Sequence, residues 1–366
     1  MAKTVDGILK LDARGTGVLF EPIRQQVVTQ VPAAVIDEYA LVQGAAISGE
    51  PDATGSRLKS VATICGLSPE AFRKRTPFDA LIAIDPYERF DFGASSSLSL
   101  RLIDLIAPIA KGTRGLIVSP PKAGKTTLLE QVAHEVRSLS AAARIVVLLI
   151  DERPEEVTYF RRTVQAEVYA SSSDNSPAEH VALAELMLAH IRTELECGNE
   201  VVVLVDSLTR LVRAVNRRVP GGRGRGASAT RTLSGGLDAA ALELPRRLFG
   251  LARAIEGGGS VTVLATILVD TGSRMDQVIY EELKATGNCE IVLSRDLAEE
   301  QLFPALDIRA SGTRKDERLY TEDDAQRITK LRRALATRPP RTAIRQLVDL
   351  LARYPSNREF LAVIAP

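Results

Sequence analysis

The chain has 366 residues, of which 45% are apolar and 25% charged, a balance typical of globular proteins and unlike that of disordered chains. Its 47 basic and 46 acidic residues leave a net charge of +1, and with 4% aromatic residues these averages give no indication of nucleic-acid binding. The sequence has no apolar run near the ~20 residues of a membrane span and no apolar core of a signal peptide at its start. We therefore expect a cytoplasmic protein without a membrane partner.

The first part of the chain predicts a small β-barrel. Residues 1–60 contain short apolar runs separated by Gly, Pro and Asp. Strands are predicted at residues 7–11, 17–20, 25–31 and 45–49. Residues 61–95 are interrupted by prolines and predict an irregular connector.

Residues 96–366 predict a doubly wound α/β domain with a mostly parallel sheet, because apolar runs alternate with helical patterns. The runs are nearly continuous in Val, Ile and Leu, which suits strands buried on both faces. Strands are predicted at 114–119, 144–151, 200–207, 260–269 and 289–294. Helices are predicted at 126–139 and 178–195, and again in the amphipathic tail at 321–361.

The three cysteines, Cys65, Cys197 and Cys289, are far apart in sequence and lack the spacing of zinc ligands. We expect buried free thiols, and neither a disulfide framework nor a zinc site. Such thiols fit a reducing compartment.

A phosphate-binding loop is predicted at residues 119–126, SPPKAGKT, between a strand and a helix. Its N–H groups can cradle phosphate oxygens, Lys125 can reach the β- and γ-phosphates, and the Thr126 hydroxyl can bind Mg²⁺. Ser119 replaces the first glycine of the general GxxxxGK[ST] pattern. The alternative is an ordinary strand–helix turn with a solvated lysine. The residues expected around the nucleotide are Pro121, Lys122, Ala123, Gly124, Lys125, Thr126 and Thr127.

Carboxylates end two of the predicted strands. Asp206 follows a buried apolar strand, where a carboxylate would hold Mg²⁺ through water. Asp151 and Glu152 end another strand, and Glu152 is the candidate general base. The alternative is that these acids cap the helices that follow them.

Several longer segments resemble the bacterial Rho family of transcription termination factors. They lie between about Leu98 and Glu317 and read RGLIVSPPKAGKTTLL, VVLLIDERPEEV, VVVLVDSLTRLVRA, LSGGLDAAAL, ILVDTGSRMDQVIYEELKATGN and FPALDIRASGTRK. The resemblance implies a RecA-like P-loop motor domain after an OB or cold-shock-like barrel. It also implies an RNA-dependent ATPase of the 5′-to-3′ helicase type, with ATP and Mg²⁺ bound at the subunit interfaces of a homohexamer. Single-stranded RNA is the implied substrate, and RNA polymerase is a further expected partner.

The resemblance assigns roles around the nucleotide. Lys122, Lys125 and Thr126 fall in the family's phosphate-binding loop, Glu152 falls on its catalytic glutamate and Asp206 on its Walker-B aspartate.

Further roles come from arginines and one aromatic residue. Arg153 falls on a nucleotide-responsive contact, and Arg210 and Arg213 fall where the family links the nucleotide state to neighbouring subunits. Phe303 falls where an aromatic ring stacks on adenine. Arg314 falls on an arginine finger supplied to the next subunit's nucleotide, where it would stabilise charge on the transferred phosphoryl group. The alternative for Arg314 is a solvated loop arginine.

The resemblance also implies two RNA-binding loops in the pore of the ring. One loop is Asp270–Arg274, with Gly272, Ser273 and Arg274 as expected contacts. The other precedes LSGG, where several Arg and Gly residues resemble an insertion, and no acid occurs among residues 217–231. Such a cationic segment fits sequence-tolerant RNA binding, and the alternative is a surface loop whose charge aids solubility. The expected contacts here are Arg223, Arg225, Arg231, Thr232, Leu233 and Ser234.

Three departures from the family indicate a divergent, short form or paralogue. We expect the family's N-terminal helical domain to be missing. The aromatic segment of the barrel reads Gly15-Thr16-Gly17-Val18, with Phe20 as the nearby aromatic residue, so we expect a degenerate RNA-loading site. Gln301 replaces an arginine near the adenine position. The alternatives are a paralogue that binds ATP and RNA and modulates termination with weak or no translocation, and a non-enzymatic subunit.

Overall fold

The computed structural model describes residues 4–12, 15–24, 26–218 and 233–364. The first sheet is antiparallel, with the strand order β3-β2-β1-β4-β5. A hydrogen bond of 3.0 Å from the Gln30 amide to the Ser56 carbonyl links its two edges, so the sheet closes into a small barrel. The strands are β1 (Val5–Leu11), β2 (Gly17–Glu21), β3 (Gln26–Val31), β4 (Ala46–Pro51) and β5 (Leu58–Ile64), and helix α1 (Ala33–Tyr39) lies between β3 and β4.

The sequence patterns missed β5, and the predicted end of the barrel at residue 60 falls inside it. The buried residues of β5 are Leu58, Val61 and Ile64. Two register shifts against β4 break the alternation of period two that marks a half-buried strand. The order barrel, connector and larger domain stays a prediction of domain organisation.

The second sheet has the path β14-β13-β7-β12-β10-β8-β9, with β11 and β6 paired beside β12. The strands β7, β8, β9, β10, β12 and β13 are parallel, and the apolar runs predict all of them except β9. The chain order of this part is α2 (Pro69–Arg73), β6 (Ala83–Ile84), α3 (Leu98–Ile106), β7 (Arg114–Ser119), α4 (Lys125–Leu139), β8 (Arg144–Glu152), α5 (Pro154–Thr163), β9 (Glu167–Ser172), α6 (Pro177–Glu196), β10 (Glu200–Asp206), α7 (Leu208–Arg218), α8 (Glu243–Phe249), β11 (Arg253–Ile255), β12 (Ser260–Leu268), α9 (Arg274–Lys284), β13 (Cys289–Val292), α10 (Arg295–Glu299), β14 (Gly312–Thr313), α11 (Glu322–Ala336), α12 (Pro340–Leu351) and α13 (Asn357–Ala362).

Helices cover both faces of this sheet, because side chains alternate between two hydrophobic cores. Along β8, Ile145, Val147 and Leu149 belong to the core beneath α3, α4 and the C-terminal helices. Val146 and Leu148 belong to the core beneath α6, α7, α8 and α9. The predicted doubly wound α/β architecture is therefore confirmed. Among the described residues, the structure has no helix that is long and apolar enough to span a membrane.

Candidate functional site

The loop between β7 and α4 has the backbone geometry of a phosphate cradle. Ser119 is the last residue of the extended strand β7, so a side chain is accommodated there without strain. Lys122 and Gly124 have φ values of 66° and 92°, which turn the chain before α4 begins at Lys125. The first N–H groups of α4 have no partner within the helix, so this helix end can bind an anion.

Lys125 lies between the two predicted acids. Its Nζ forms an ion pair with the Asp206 carboxylate and lies 3.8 Å from Glu152 Oε2. Asp206 is 1% exposed and also accepts a 2.7 Å hydrogen bond from the hydroxyl of Thr266. The structure thus brings the ends of β7, β8 and β10 together at one point of the sheet.

Thr266 was missed by the sequence reasoning. The available signal was a pair of threonines, Thr262 and Thr266, inside the apolar strand β12, since a buried hydroxyl needs a hydrogen-bond partner. Here that partner is Asp206, which the hydroxyl orients.

Glu152 has the environment of a proton acceptor. It is 6% exposed, and within the part of the chain that the structure describes its Oε2 faces the cations of Lys125 and Arg210 without a hydrogen-bond partner. Burial raises the pKa of this carboxyl and the Asp206 charge raises it further, whereas Lys125 and Arg210 lower it. A carboxylate with a raised pKa and an oxygen that accepts no hydrogen bond can take a proton from water.

Arg210 belongs to this centre, and Arg213 lies apart from it. Arg210 donates to the carbonyl oxygen of Asp151, and its guanidinium is 3.3 Å from the Glu152 carboxylate. Arg213, one turn further along α7, pairs with Asp276 near the start of α9. Arg153 is exposed just before α5.

A cavity of about 320 Å³ lies beside the phosphate loop. It is lined by residues 122–124, Thr127 and the segment 303–306. The Phe303 side chain is 51% exposed, and its ring is 3.7 Å from the position that a Cβ on Gly124 would occupy. An exposed ring at this distance from the loop is suited to stack on a base whose phosphates lie in the cradle. Gln301 is exposed two residues before this ring.

Arg314 lies at the opposite end of the sheet from the phosphate loop. Its amide donates a 2.8 Å hydrogen bond to the carbonyl of Asn288, just before β13, and β13 pairs there with the start of β7. The phosphate loop follows the other end of β7, roughly 17 Å away at about 3.3 Å per residue. Arg314 is exposed at this end of the sheet, far from the nucleotide site of its own chain.

The described parts of the two predicted RNA loops are neighbours. A Cβ on Gly235 would be 2.7 Å from the amide nitrogen of Met275, so the LSGG segment touches the first turn of α9. Ser273 caps α9 with a 3.4 Å hydrogen bond from the Asp276 amide, and Arg274 is exposed at the start of this helix.

Other predicted RNA contacts have different placements. Gly272 has a φ of 75° in the exposed turn before Ser273, and Leu233 and Ser234 lie just before Gly235. Arg223, Arg225, Arg231 and Thr232 lie outside the described residues.

Comparisons with known proteins show which families this chain is similar to. The model of the ATP synthase alpha/beta family, nucleotide-binding domain, matches residues 99–313. A transcription termination factor Rho from Streptobacillus moniliformis is 43% identical over 92% of this chain and 80% of its own length. A Rho from Streptomyces coelicolor is 42% identical over 100% of this chain and 86% of its own length.

The fold comparison gives the same architecture. The chain is similar to a solved ATPase from the type III secretion system of pathogenic bacteria, with a TM-score of 0.61 and 25% identity over 79% of this chain and 82% of that one. The predicted RecA-like P-loop fold is confirmed.

Proposed function

The chain belongs to the transcription termination factor Rho family, and from this membership we propose that it terminates transcription as an RNA-dependent ATPase that moves along RNA. Identity above 40% along nearly the whole chain favours this function over a modulating paralogue or a non-enzymatic subunit. The observation that carries the proposal is the cluster of Lys125, Glu152 and Asp206 beside the phosphate loop, together with Arg314 at the far edge of the same sheet.

ATP hydrolysis uses these groups in distinct roles. The phosphate loop and Lys125 bind the β- and γ-phosphates. Glu152 accepts a proton from the attacking water, and this role is supported by its raised pKa and by an oxygen that accepts no hydrogen bond from the described residues. The Phe303 ring stacks on the adenine in the cavity beside Gly124.

The donor set beside the loop fits Mg²⁺. Thr126 supplies a hydroxyl and Asp206 a buried carboxylate. Mg²⁺ prefers hard oxygen ligands and needs only a few from the protein, because water molecules and the nucleotide phosphates provide the others. A Mg²⁺ ion bound there would neutralise charge on the phosphates.

Arg314 acts on the nucleotide of a neighbouring subunit. It is exposed and roughly 17 Å of strand separates it from the loop of its own chain, so a second copy must supply the arginine finger. In a closed ring with heterologous interfaces, every nucleotide site receives an arginine from the next subunit. We propose that this ring is a homohexamer.

RNA passes through the pore of this ring. The adjacency of the LSGG segment and the start of α9 supports a shared RNA-binding surface that includes Arg274. The substrate is single-stranded RNA that emerges from RNA polymerase, the further partner. We propose that the protein acts on it in the cytoplasm.

The test is ATP hydrolysis by the purified chain with and without poly(C), beside its native mass. We expect a hexamer whose hydrolysis is stimulated by the polymer and which releases transcripts from an elongating RNA polymerase. Binding of ATP and RNA without stimulated hydrolysis would exclude the proposed activity.

A further inference from the structure

The C-terminal half of α6 forms a contact between the larger domain and the barrel. Gly44 approaches α6 so closely that a Cβ there would be 2.4 Å from the carbonyl carbon of Ala189. The ring nitrogen Nδ1 of His190 is 2.9 Å from the Gly44 carbonyl oxygen, and the Thr193 hydroxyl donates a 3.4 Å hydrogen bond to the Gln43 carbonyl. One face of α6 therefore packs against the loop before β4.

Cys197 continues this face at the end of α6. It follows Thr193 by four residues, and residues four apart lie on the same side of a helix. Cys197 packs against the barrel core that contains Cys65, the residue immediately after β5. The Asn199 side chain donates a 3.1 Å hydrogen bond to the Cys65 carbonyl, which holds the two segments together.

The two thiols differ in access. Cys65 is 4% exposed, and the neighbouring Cys197 thiol, together with burial, raises the pKa of Cys65, so Cys65 stays protonated. Cys197 is half-buried and precedes the exposed Gly198, so an oxidant reaches Cys197 first. Cys289 is 1% exposed in the core of the larger domain and provides an internal control.

We propose that Cys65 and Cys197 form a reversible disulfide that ties the barrel to the motor domain when the protein meets a peroxide. The Cys197 thiol reduces the peroxide and becomes a sulfenic acid, with release of water or an alcohol. The Cys65 sulfur then attacks this sulfur, the S–O bond of the sulfenic acid breaks, and the Cys65 proton leaves with the hydroxyl group as one water while the S–S bond forms. A dithiol reductant restores both thiols by exchange.

The link acts on a contact that is otherwise non-covalent. Disulfides in reducing compartments are characteristically transient and redox-sensing, and this pair joins two domains rather than two parts of one core. Oxidation would link the barrel covalently to the end of α6. The next element in the chain is β10, which ends at Asp206.

Peroxide treatment of the full chain, followed by intact mass and peptide mapping under non-reducing conditions, tests the link. We expect the chain to lose the mass of two hydrogen atoms, with the Cys65 and Cys197 peptides joined. Cys289→Ser should keep the link, and Cys65→Ser or Cys197→Ser should abolish it. Uptake of oxygen atoms without a link, or links between separate chains, would overturn the proposal.

The unfolding temperature tests whether the link ties the domains. We expect the oxidised chain to unfold at a higher temperature than the reduced chain, and dithiothreitol to reverse the difference. Cys65→Ser treated in the same way should show no upward shift. A linked chain with an unchanged unfolding temperature would contradict the tying of the barrel to α6.

Discussion

At the residue scale, Glu152 is the proposed proton acceptor of the site. Its carboxyl is buried, lies near Asp206 and is balanced by Lys125 and Arg210. The sequence indicated the two acids because each ends an apolar strand. It could not show which group Thr266 contacts, because its hydrogen bond to Asp206 arises only when β10 and β12 pair in the sheet.

Removal of the Glu152 charge should abolish turnover and leave nucleotide binding intact. We expect Glu152→Gln to lower kcat by about 10²- to 10⁴-fold, since the amide cannot accept the proton of water. Steady-state hydrolysis and binding of a fluorescent ATP analogue provide the measurement. Glu156→Gln, in α5 of the same chain, is the matched control and should keep near-normal turnover.

The pH dependence should follow the raised pKa of Glu152. Hydrolysis needs the ionised base, so kcat/KM falls as the pH falls through this pKa, and the acid limb lies above the ~4.3 of an ordinary glutamate. The Arg210 charge lowers this pKa, so Arg210→Gln should move the limb to higher pH. A limb that stays in place or moves to lower pH in this variant would contradict the assigned electrostatics.

At the element scale, the strands of the large sheet with continuous apolar sequences could be predicted. The strands whose sequences combine apolar and polar residues could not. The predicted bounds of β7 agree with the structure, because its apolar run is continuous. The strand β9 was missed because its sequence EVYASS ends in small polar residues that resemble a loop. The location of Arg314 at the far edge of the sheet could not be predicted, because it depends on the antiparallel pairing of β14 with β13. No local sequence pattern encodes that pairing.

The barrel carries little aromatic surface for RNA. Phe20 lines its cavity of about 570 Å³, yet the same side chain packs partly against the core of the larger domain. The second aromatic residue of this region, Tyr39, ends helix α1 and packs against the barrel core. These contacts support a degenerate RNA-loading site.

Substitution of Phe20 should therefore change the apparent affinity for RNA only slightly. A base stacked on this ring would contribute about 1–3 kcal/mol, or roughly 5- to 150-fold in affinity. We expect Phe20→Ala to change the poly(C) concentration for half-maximal hydrolysis less than about threefold, and Arg274→Gln to raise it more strongly. A tenfold or greater rise for Phe20→Ala would show that the barrel loads RNA.

The arginine-rich segment before LSGG should carry the salt dependence of RNA binding. Each phosphate contact with single-stranded RNA contributes about 0.7 to the slope of log affinity against log salt. We expect the double variant Arg223→Ser and Arg225→Ser to lower RNA-stimulated hydrolysis and to reduce this slope. The matched control replaces Arg345 and Arg353, which are exposed near the C-terminus, by serine and removes the same charge. An unchanged salt slope in the Arg223→Ser and Arg225→Ser variant would exclude direct RNA contact by these two arginines.

At the scale of the whole molecule, the neutral average of the chain is misleading. The net charge is +1, yet the arginine-rich segment is locally basic. The proposed ring would gather one copy of this segment from every subunit around a single channel, so the field in the pore would be strong although the total charge is small. The same proposed ring would provide Arg314 to each neighbouring nucleotide site.

The most direct test of this account is hydrolysis by a mixture of two inactive variants. Lys125→Ala removes the phosphate-binding lysine, and Arg314→Ala removes the finger. If the site is shared between subunits, an interface with Lys125 from one variant and Arg314 from the other is complete. We predict that co-assembled variants hydrolyse ATP with poly(C) faster than either variant alone. Hydrolysis no faster than that of the separate variants, in rings shown to contain both, would contradict the shared site.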